Sequence, residues 1–417
     1  MEDRKHTEDL LELAISLGYN LQMCGAEIYR VEEAVNRLLS AYGIPGDVFA
    51  IPNCLIVTVC PDEGEPMTRM RRIGYHGTDI DGIERFYDLG RTLCREKPAL
   101  ADARRMLAES KSKQNVYPVP VLYMGYFLAA GAFAVHFGGT LSDGILAGLC
   151  GMLTGMFLRL LTRLQVNAFF KTITAAFLIA IISQTLTRMG VIRYADATAI
   201  GALMLLVPGM TFTDSMRDII YGDILSGINK LVQVLLTAAA LLLGTGTALQ
   251  VSHMLWDTAS IGISLDVPYP GWIQCLAGAV ACGGFCLLNN IRLNGGILIC
   301  MAGGGLGWAV YLLTGRLGAD MLFAYFLAAA AVSLYAEIMA RIRKFPVFAY
   351  LVIALLPLVP GSGIYYTVEY LLQEERALSL TQGIKTASIA GLLAVGVLLV
   401  SSLFRMAGVA GQIRKRK

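Results

Sequence analysis

From Val119 onward the chain is a series of long apolar runs separated by a few polar residues. Before that point, apolar positions recur every three or four residues or alternate. The runs predict ten membrane-crossing helices, at about 118–136, 142–160, 170–187, 195–212, 228–250, 269–288, 294–313, 320–341, 346–366 and 384–404, because roughly 20 apolar residues at 1.5 Å rise cover a bilayer core. The first 115 residues predict a small α+β domain. Leu10, Leu13, Ala14, Leu17 and Leu21 have helical spacing, in a helical stretch over 7–43 that Gly25 breaks or kinks. Strands are predicted at 47–51, 54–60 and 68–73, with Leu55, Val57 and Val59 on one face. Helices follow at 79–95 and 99–113.

The apolar part contains one unit written twice, 152 positions apart. Leu206-Val207-Pro208-Gly209 recurs as Leu358-Val359-Pro360-Gly361, Gly144-Ile145-Leu146 as Gly296-Ile297-Leu298, and Gly151 and Gly155 as Gly303 and Gly307. Five spans per copy is an odd number, so the copies are expected in opposite orientations. The expected fold class is an α-helical polytopic membrane protein of two inverted five-span repeats, preceded by a small α+β cytoplasmic domain. The expected boundaries are 1–115 for that domain, 117–250 and 268–405 for the repeats, and 406–417 for a basic cytoplasmic tail.

Composition agrees: 56% hydrophobic, 16% charged and a mean hydropathy of +0.60. The net charge of +3 comes with no basic stripe, so no nucleic-acid partner is expected. With the N-terminus inside, the inner flanks of the spans carry fourteen Lys and Arg and the outer flanks five. That bias places both termini in the cytoplasm of a multi-pass inner-membrane protein. The polar first residues do not read as a signal peptide, so the first domain is expected to stay in the cytoplasm. Nine scattered cysteines without C-x-x-C predict buried free thiols. No metal or cofactor is expected.

The candidate site follows from backbone accounting. Pro208-Gly209 and Pro360-Gly361 each interrupt an apolar span, and N–H and C=O groups freed there must find polar partners. Small polar residues follow both breaks, which nominates Pro208, Gly209, Thr211, Thr213, Asp214, Pro360, Gly361, Ser362, Gly363 and Tyr365 for substrate binding. Asp214, just past the first break, could accept a substrate ammonium group or a coupling proton. Each break read singly is an ordinary kink, and the glycine pairs read as close helix packing. Of His136, Asp143, Lys171, Asp196, Asp320 and Glu337, most are placed near span ends within reach of water. Asp143 is assigned to the outer surface, and Glu337 is paired with Arg341. The chain has no G-x-S-x-G, no H-E-x-x-H and no Walker A, and only four histidines. No enzymatic chemistry is expected, and transport without ATP is the default.

Several segments resemble the threonine/serine exporter family. These are Cys24-Gly25-Ala26-Glu27-Ile28-Tyr29-Arg30-Val31-Glu32-Glu33, the run from Val207 to Asp218 with Gly222-Asp223 and Ser226-Gly227, and Lys344-Phe345-Pro346 with Leu356-Pro357-Leu358-Val359-Pro360-Gly361-Ser362. The resemblance covers nearly the whole chain. It implies a cytoplasmic N-terminal domain, ten spans and export of small hydroxy-amino acids. It also implies that some relatives are divided into two polypeptides, and one such pair exports succinate. It carries over no site residue. The expected function is therefore secondary export of threonine or serine, driven by a proton or ion gradient. A dicarboxylate exporter is the alternative within the class, and a membrane-anchored enzyme or sensor the alternative outside it. Expected partners are an amino-acid substrate and membrane lipid; a homo-oligomer is left open.

Overall fold

The computed structural model describes residues 2–60, 65–74, 77–112, 116–192, 194–256, 269–292, 295–343 and 345–416. The expected turn at 61–64 and most of the connection at 251–268 lie outside the described residues, as do the side chains of the basic tail. The chain divides into two compact units: Met1–Tyr117 with Asn289–Ile291, and Pro118–Leu288 with Arg292–Lys417.

The first unit is α+β. Helices α1 (Glu2–Met23) and α2 (Ile28–Ala41) precede strands β1 (Gly46–Ile51), β2 (Cys54–Val59) and β3 (Met67–Arg72). Helices α3 (Ile80–Glu96) and α4 (Leu100–Ser112) follow. The strands form an antiparallel sheet in the order β1-β2-β3, with Ile51 opposite Cys54 at the first hairpin. Leu10, Leu13, Ala14, Leu17 and Leu21 of α1 are all buried, and so are Leu55, Val57 and Val59 of β2. The helical period and the strand period thus deliver their apolar faces to one core. The segment after α1 is held by specific contacts. Gly25 turns the chain at φ +84°, a conformation that disfavours side chains. Glu27 pairs with Arg30 at 2.6 Å, Val31 enters the core, and the Glu32 carboxylate accepts the Ala50 N–H at 2.8 Å. Arg69 and Arg71 of the basic strand turn onto α1: Arg69 pairs with Glu12 at 3.2 Å, and Arg71 lies 4.0 Å over the Tyr19 ring.

The expectation of buried thiols holds for Cys24, Cys150, Cys282, Cys286 and Cys300, but Cys60 is exposed. Burial, with Asp79 beside it, pushes the Cys24 thiol up to about 12. Alkylation requires the thiolate, so at pH 8 Cys24 is expected to react with iodoacetamide at least about 100-fold more slowly than Cys60. Site-resolved mass spectrometry of the labelled native protein measures this; comparable rates would show that Cys24 is open to water.

The second unit is helical: α5 (Val119–His136), α6 (Leu141–Arg163), α7 (Ala168–Arg188), α8 (Ala195–Leu203), α9 (Gly209–Tyr221), α10 (Ile224–Trp256), α11 (Gly271–Leu288), α12 (Gly296–Arg316), α13 (Met321–Arg343), α14 (Val347–Ala354), α15 (Gly361–Leu372) and α16 (Arg376–Arg416). Among the described residues, eight of these are long and apolar enough to cross a bilayer. The chain is therefore a polytopic α-helical membrane protein. The fourth and ninth expected spans are not continuous helices. Each is a pair of short ones, α8 with α9 and α14 with α15, because the Pro-Gly pairs fall in mid-run. Their second halves run past the expected ends, to Tyr221 and Leu372. The expected tail at 406–417 continues α16 through Arg416.

The 152-residue offset governs the helices as well as the letters. α5, α8, α9 and α10 start at 119, 195, 209 and 224; α11, α14, α15 and α16 start at 271, 347, 361 and 376. The related helices α5 and α11 pack antiparallel. Gly125 near the start of α5 lies against Gly284 and Leu287 at the end of α11, while His136 at the end of α5 donates its Nδ1–H to the Gln274 carbonyl near the start of α11 at 3.0 Å. The G-x-x-x-G glycines serve packing: Gly151 and Gly155 admit Ala130 and Tyr126, and Gly303 and Gly307 admit Ala354 and Val332. Glu337 pairs with Arg341 as expected.

Two placements correct the sequence reading. Asp143 is buried rather than at the outer surface, because it completes a capping box with Thr140 at the start of α6. His136 is also buried, covered by the α11 carbonyl and by the Trp308 ring at 4.3 Å.

Candidate functional site

Both interruptions are built the same way. α8 ends in a tight turn in which the Val207 N–H bonds the Leu203 carbonyl. Pro208, at φ −82° and ψ 41°, then leaves the helical region, and α9 restarts at Gly209. α14 ends in a similar turn, with the Val359 N–H on the Leu355 carbonyl; Pro360 lies at φ −76° and ψ 52°, and α15 restarts at Gly361. A proline can neither donate to the preceding turn nor tolerate its carbonyl, so the helix must end and begin again. The first N–H groups of a restarted helix have no intrahelical acceptor and carry its positive end.

The two restarts meet. A methyl group added to Gly209 would overlap Val359 Cγ1 and lie 3.7 Å from the Gly361 Cα. One added to Gly361 would meet Met204 Sδ at 2.6 Å and Val207 Cγ1 at 3.3 Å. Val207 and Val359 are themselves an offset pair, so the contact is reciprocal.

Beside this contact lies a small pocket, partly open to the outside. α9 supplies Met210, Thr213, Asp214 and Arg217. Leu351, Val352, Leu355 and Val359 come from α14 and the turn after it, and Ala394 and Val397 from α16. The wall is apolar and the polar groups stand on one helix. Arg217 lies between Asp214 at 3.4 Å and Asp218 at 3.5 Å, with its guanidinium 6.0 Å from the centre of the Phe348 ring. Asp218 in turn accepts Lys230 at 2.7 Å and Ser226 at 2.9 Å. Two carboxylates and two cations balance in charge.

Of the nominated residues, Thr213 and Asp214 line the pocket, and Pro208, Gly209, Pro360 and Gly361 form the junction of the breaks. Thr211 and Ser362 are half-buried and do not line it. Gly363 is buried against Thr386, and the Tyr365 ring packs with the cluster of Leu203 and Leu241. The sequence reading did not nominate Arg217. It missed Lys230, which completes the network from α10, and Glu369, which lay beyond the predicted end of the ninth span. The signal for Glu369 was available: it stands 152 residues after Arg217.

The family model described as "Putative threonine/serine exporter" matches residues 12–252, and a second, "Threonine/Serine exporter, ThrE", matches residues 274–403. A protein of Mycobacterium tuberculosis (strain ATCC 25618 / H37Rv), named "Probable threonine/serine exporter", is 22% identical over 437 residues, covering 98% of this chain and 82% of its own. The "Threonine/serine exporter" of Corynebacterium glutamicum is 21% identical over 414 residues, covering 96% and 83%. No solved structure matches the chain. One model spans the α+β unit and the first set of membrane helices and the other the second set, and both relatives align over almost the full chain: the protein belongs to the threonine/serine exporter family, a family of transporters rather than enzymes.

Proposed function

We propose that the protein is a secondary exporter of threonine and serine in the cytoplasmic membrane, built from two inverted five-span repeats with both termini inside. The observation that carries the reading is the junction of two helix restarts beside a pocket bearing Asp214 and Arg217. Two positive helix ends there suit a substrate carboxylate, and Asp214 suits its ammonium. The antiparallel packing of α5 on its counterpart α11 supports the inversion, since a two-fold relation between antiparallel helices has its axis across them. Counting each broken pair as one span gives five per repeat. The names of the relatives support the substrate class.

Charge balance favours a zwitterion over a dicarboxylate. Asp214, Arg217, Asp218 and Lys230 already neutralise one another, so a dianion would enter with no surplus cation to receive it, while a zwitterion adds no net charge. Counterflow in proteoliposomes tests this. Vesicles loaded with unlabelled threonine or serine are expected to accumulate labelled threonine at least about tenfold above protein-free vesicles, whereas succinate loading gives no such gain. Succinate counterflow without threonine counterflow would overturn the substrate assignment.

A further inference from the structure

The 152-residue offset carries the Asp214 pocket onto a second place in the fold. Thr213 maps to Tyr365, Asp214 to Tyr366 and Arg217 to Glu369; on the facing helix, Phe348 maps to Asp196. The facing pair has a counterpart: Arg217 lies over Phe348, and Glu369 is within electrostatic reach of Asp196. The counterpart differs in two respects. Where Thr213 and Asp214 line a pocket, the larger Tyr365 and Tyr366 stand, with their rings 5.5 Å apart and Tyr365 packed against the cluster of Leu203. Where Arg217 is held between two carboxylates, Glu369 has no cation partner among the described residues.

Glu369 is only 7% exposed. It is bonded to the Tyr365 hydroxyl and weakly by the Gln373 amide at 3.4 Å, and its Oε2 has no hydrogen-bond partner among the described residues. The groups around it offer no compensating charge. α8 brings Asp196, and α15 itself brings Tyr365, Tyr366 and Tyr370. On the helices packed against α15, Lys230 is engaged by Asp218, His253 is exposed, and Arg376, Lys385 and Arg405 of α16 lie on exposed positions. An ionised carboxylate shut in such a place costs several kcal/mol, whereas the neutral acid needs only one hydrogen-bond acceptor for its proton.

We propose that Glu369 is a proton-binding carboxyl that gates this half of the transporter: it takes a proton from the outer water as Tyr365 and Tyr366 close over it, and returns the proton to water when they part. The inference rests on the transport reading and on the inside placement of the termini, which puts Glu369 in the outer half of the membrane. Closure and proton uptake are then one linked equilibrium, so a lower external pH favours the closed outer half. The mechanism also explains why the offset partner of a permanently charged arginine is a group whose charge can be switched off.

The test compares the parent with Glu369→Gln and Glu369→Asp in proteoliposomes, following threonine exchange at a series of pH values and threonine movement driven by an imposed pH gradient. Glu369→Gln, which imitates the protonated form, is expected to keep exchange within about threefold of the parent. Its pH profile should be flat, and its gradient-driven movement should fall at least about tenfold. Glu369→Asp is expected to retain a pH-dependent profile. A Glu369→Gln protein with the parent's profile and gradient response overturns the proposal, as does a folded one that has lost exchange altogether. Tyr365→Phe provides an independent measurement, since it removes the hydroxyl bond while leaving the ring in place. It removes a donor that favours the ionised carboxylate and is expected to move the exchange profile to higher pH by up to about one unit; an unmoved profile counts against the mechanism. A parent that exchanges no threonine refutes the transport reading, and this inference with it, before any variant is compared.

Discussion

Asp214→Asn is expected to slow threonine exchange about 10- to 100-fold while membrane insertion, yield and thermal stability stay near the parent's. The substitution keeps the shape of the side chain and removes its charge. Arg217 retains Asp218 at 3.5 Å, and an asparagine oxygen can still accept from it, so no buried cation is stranded. The substrate loses more. A hydrogen bond to a charged partner contributes roughly 1.5–3 kcal/mol, which corresponds to about one to two factors of ten in affinity or rate. Initial rates of counterflow on purified protein, matched for melting temperature, measure the effect. Exchange at the parent's rate would remove Asp214 from the site. Asp143→Asn is the useful contrast. Asp143 accepts the Thr140 N–H at 2.8 Å in a helix cap, so its loss is expected to cost about 1 kcal/mol of stability and little transport.

The second large effect is expected at the junction of the breaks, and it is asymmetric. Gly209→Ala places a methyl group into Val359 Cγ1, a β-branched side chain held in one rotamer, with the Gly361 backbone directly behind it. Gly361→Ala places its methyl against Met204, whose unbranched thioether can swing aside. Gly209→Ala is therefore expected to destabilise the protein by about 1–3 kcal/mol and to depress exchange sharply, while Gly361→Ala costs less than about 1 kcal/mol. Gly391→Ala in α16, where the added methyl meets nothing within 4 Å, serves as the control. Thermal unfolding in detergent together with counterflow measures all three. Equal losses at Gly209 and Gly361 would mean that the restarts do not meet as described.

Much of the fold was legible in the residues. The spacing of Leu10, Leu13, Leu17 and Leu21 marks the buried face of α1, and the alternation of Leu55, Val57 and Val59 marks that of β2. The breaks were legible because proline chemistry is local. The reach of α9 and α15 beyond them was not, because past a break apolar and polar residues mix and local hydropathy no longer marks the helix end. Glu369 was lost to that limit, and Asp143 was misplaced for a related reason. A carboxylate near the end of a span reads as surface until the capping geometry with Thr140 shows that it is spent on the helix itself.

By itself the sequence determined that this chain is a polytopic helical membrane protein with an α+β N-terminal unit, that its membrane part repeats every 152 residues, and that each copy contains one helix that cannot be continuous. These properties depend on composition, period and the missing amide of proline, all of which act within one segment. Only the tertiary structure decided that Gly209 and Gly361 touch, that the Arg217 guanidinium lies over the Phe348 ring, and that Tyr365 packs against the cluster of Leu203. Those contacts join residues about 150 positions apart, and what selects them is the volume left between packed helices, which no local pattern of residues encodes.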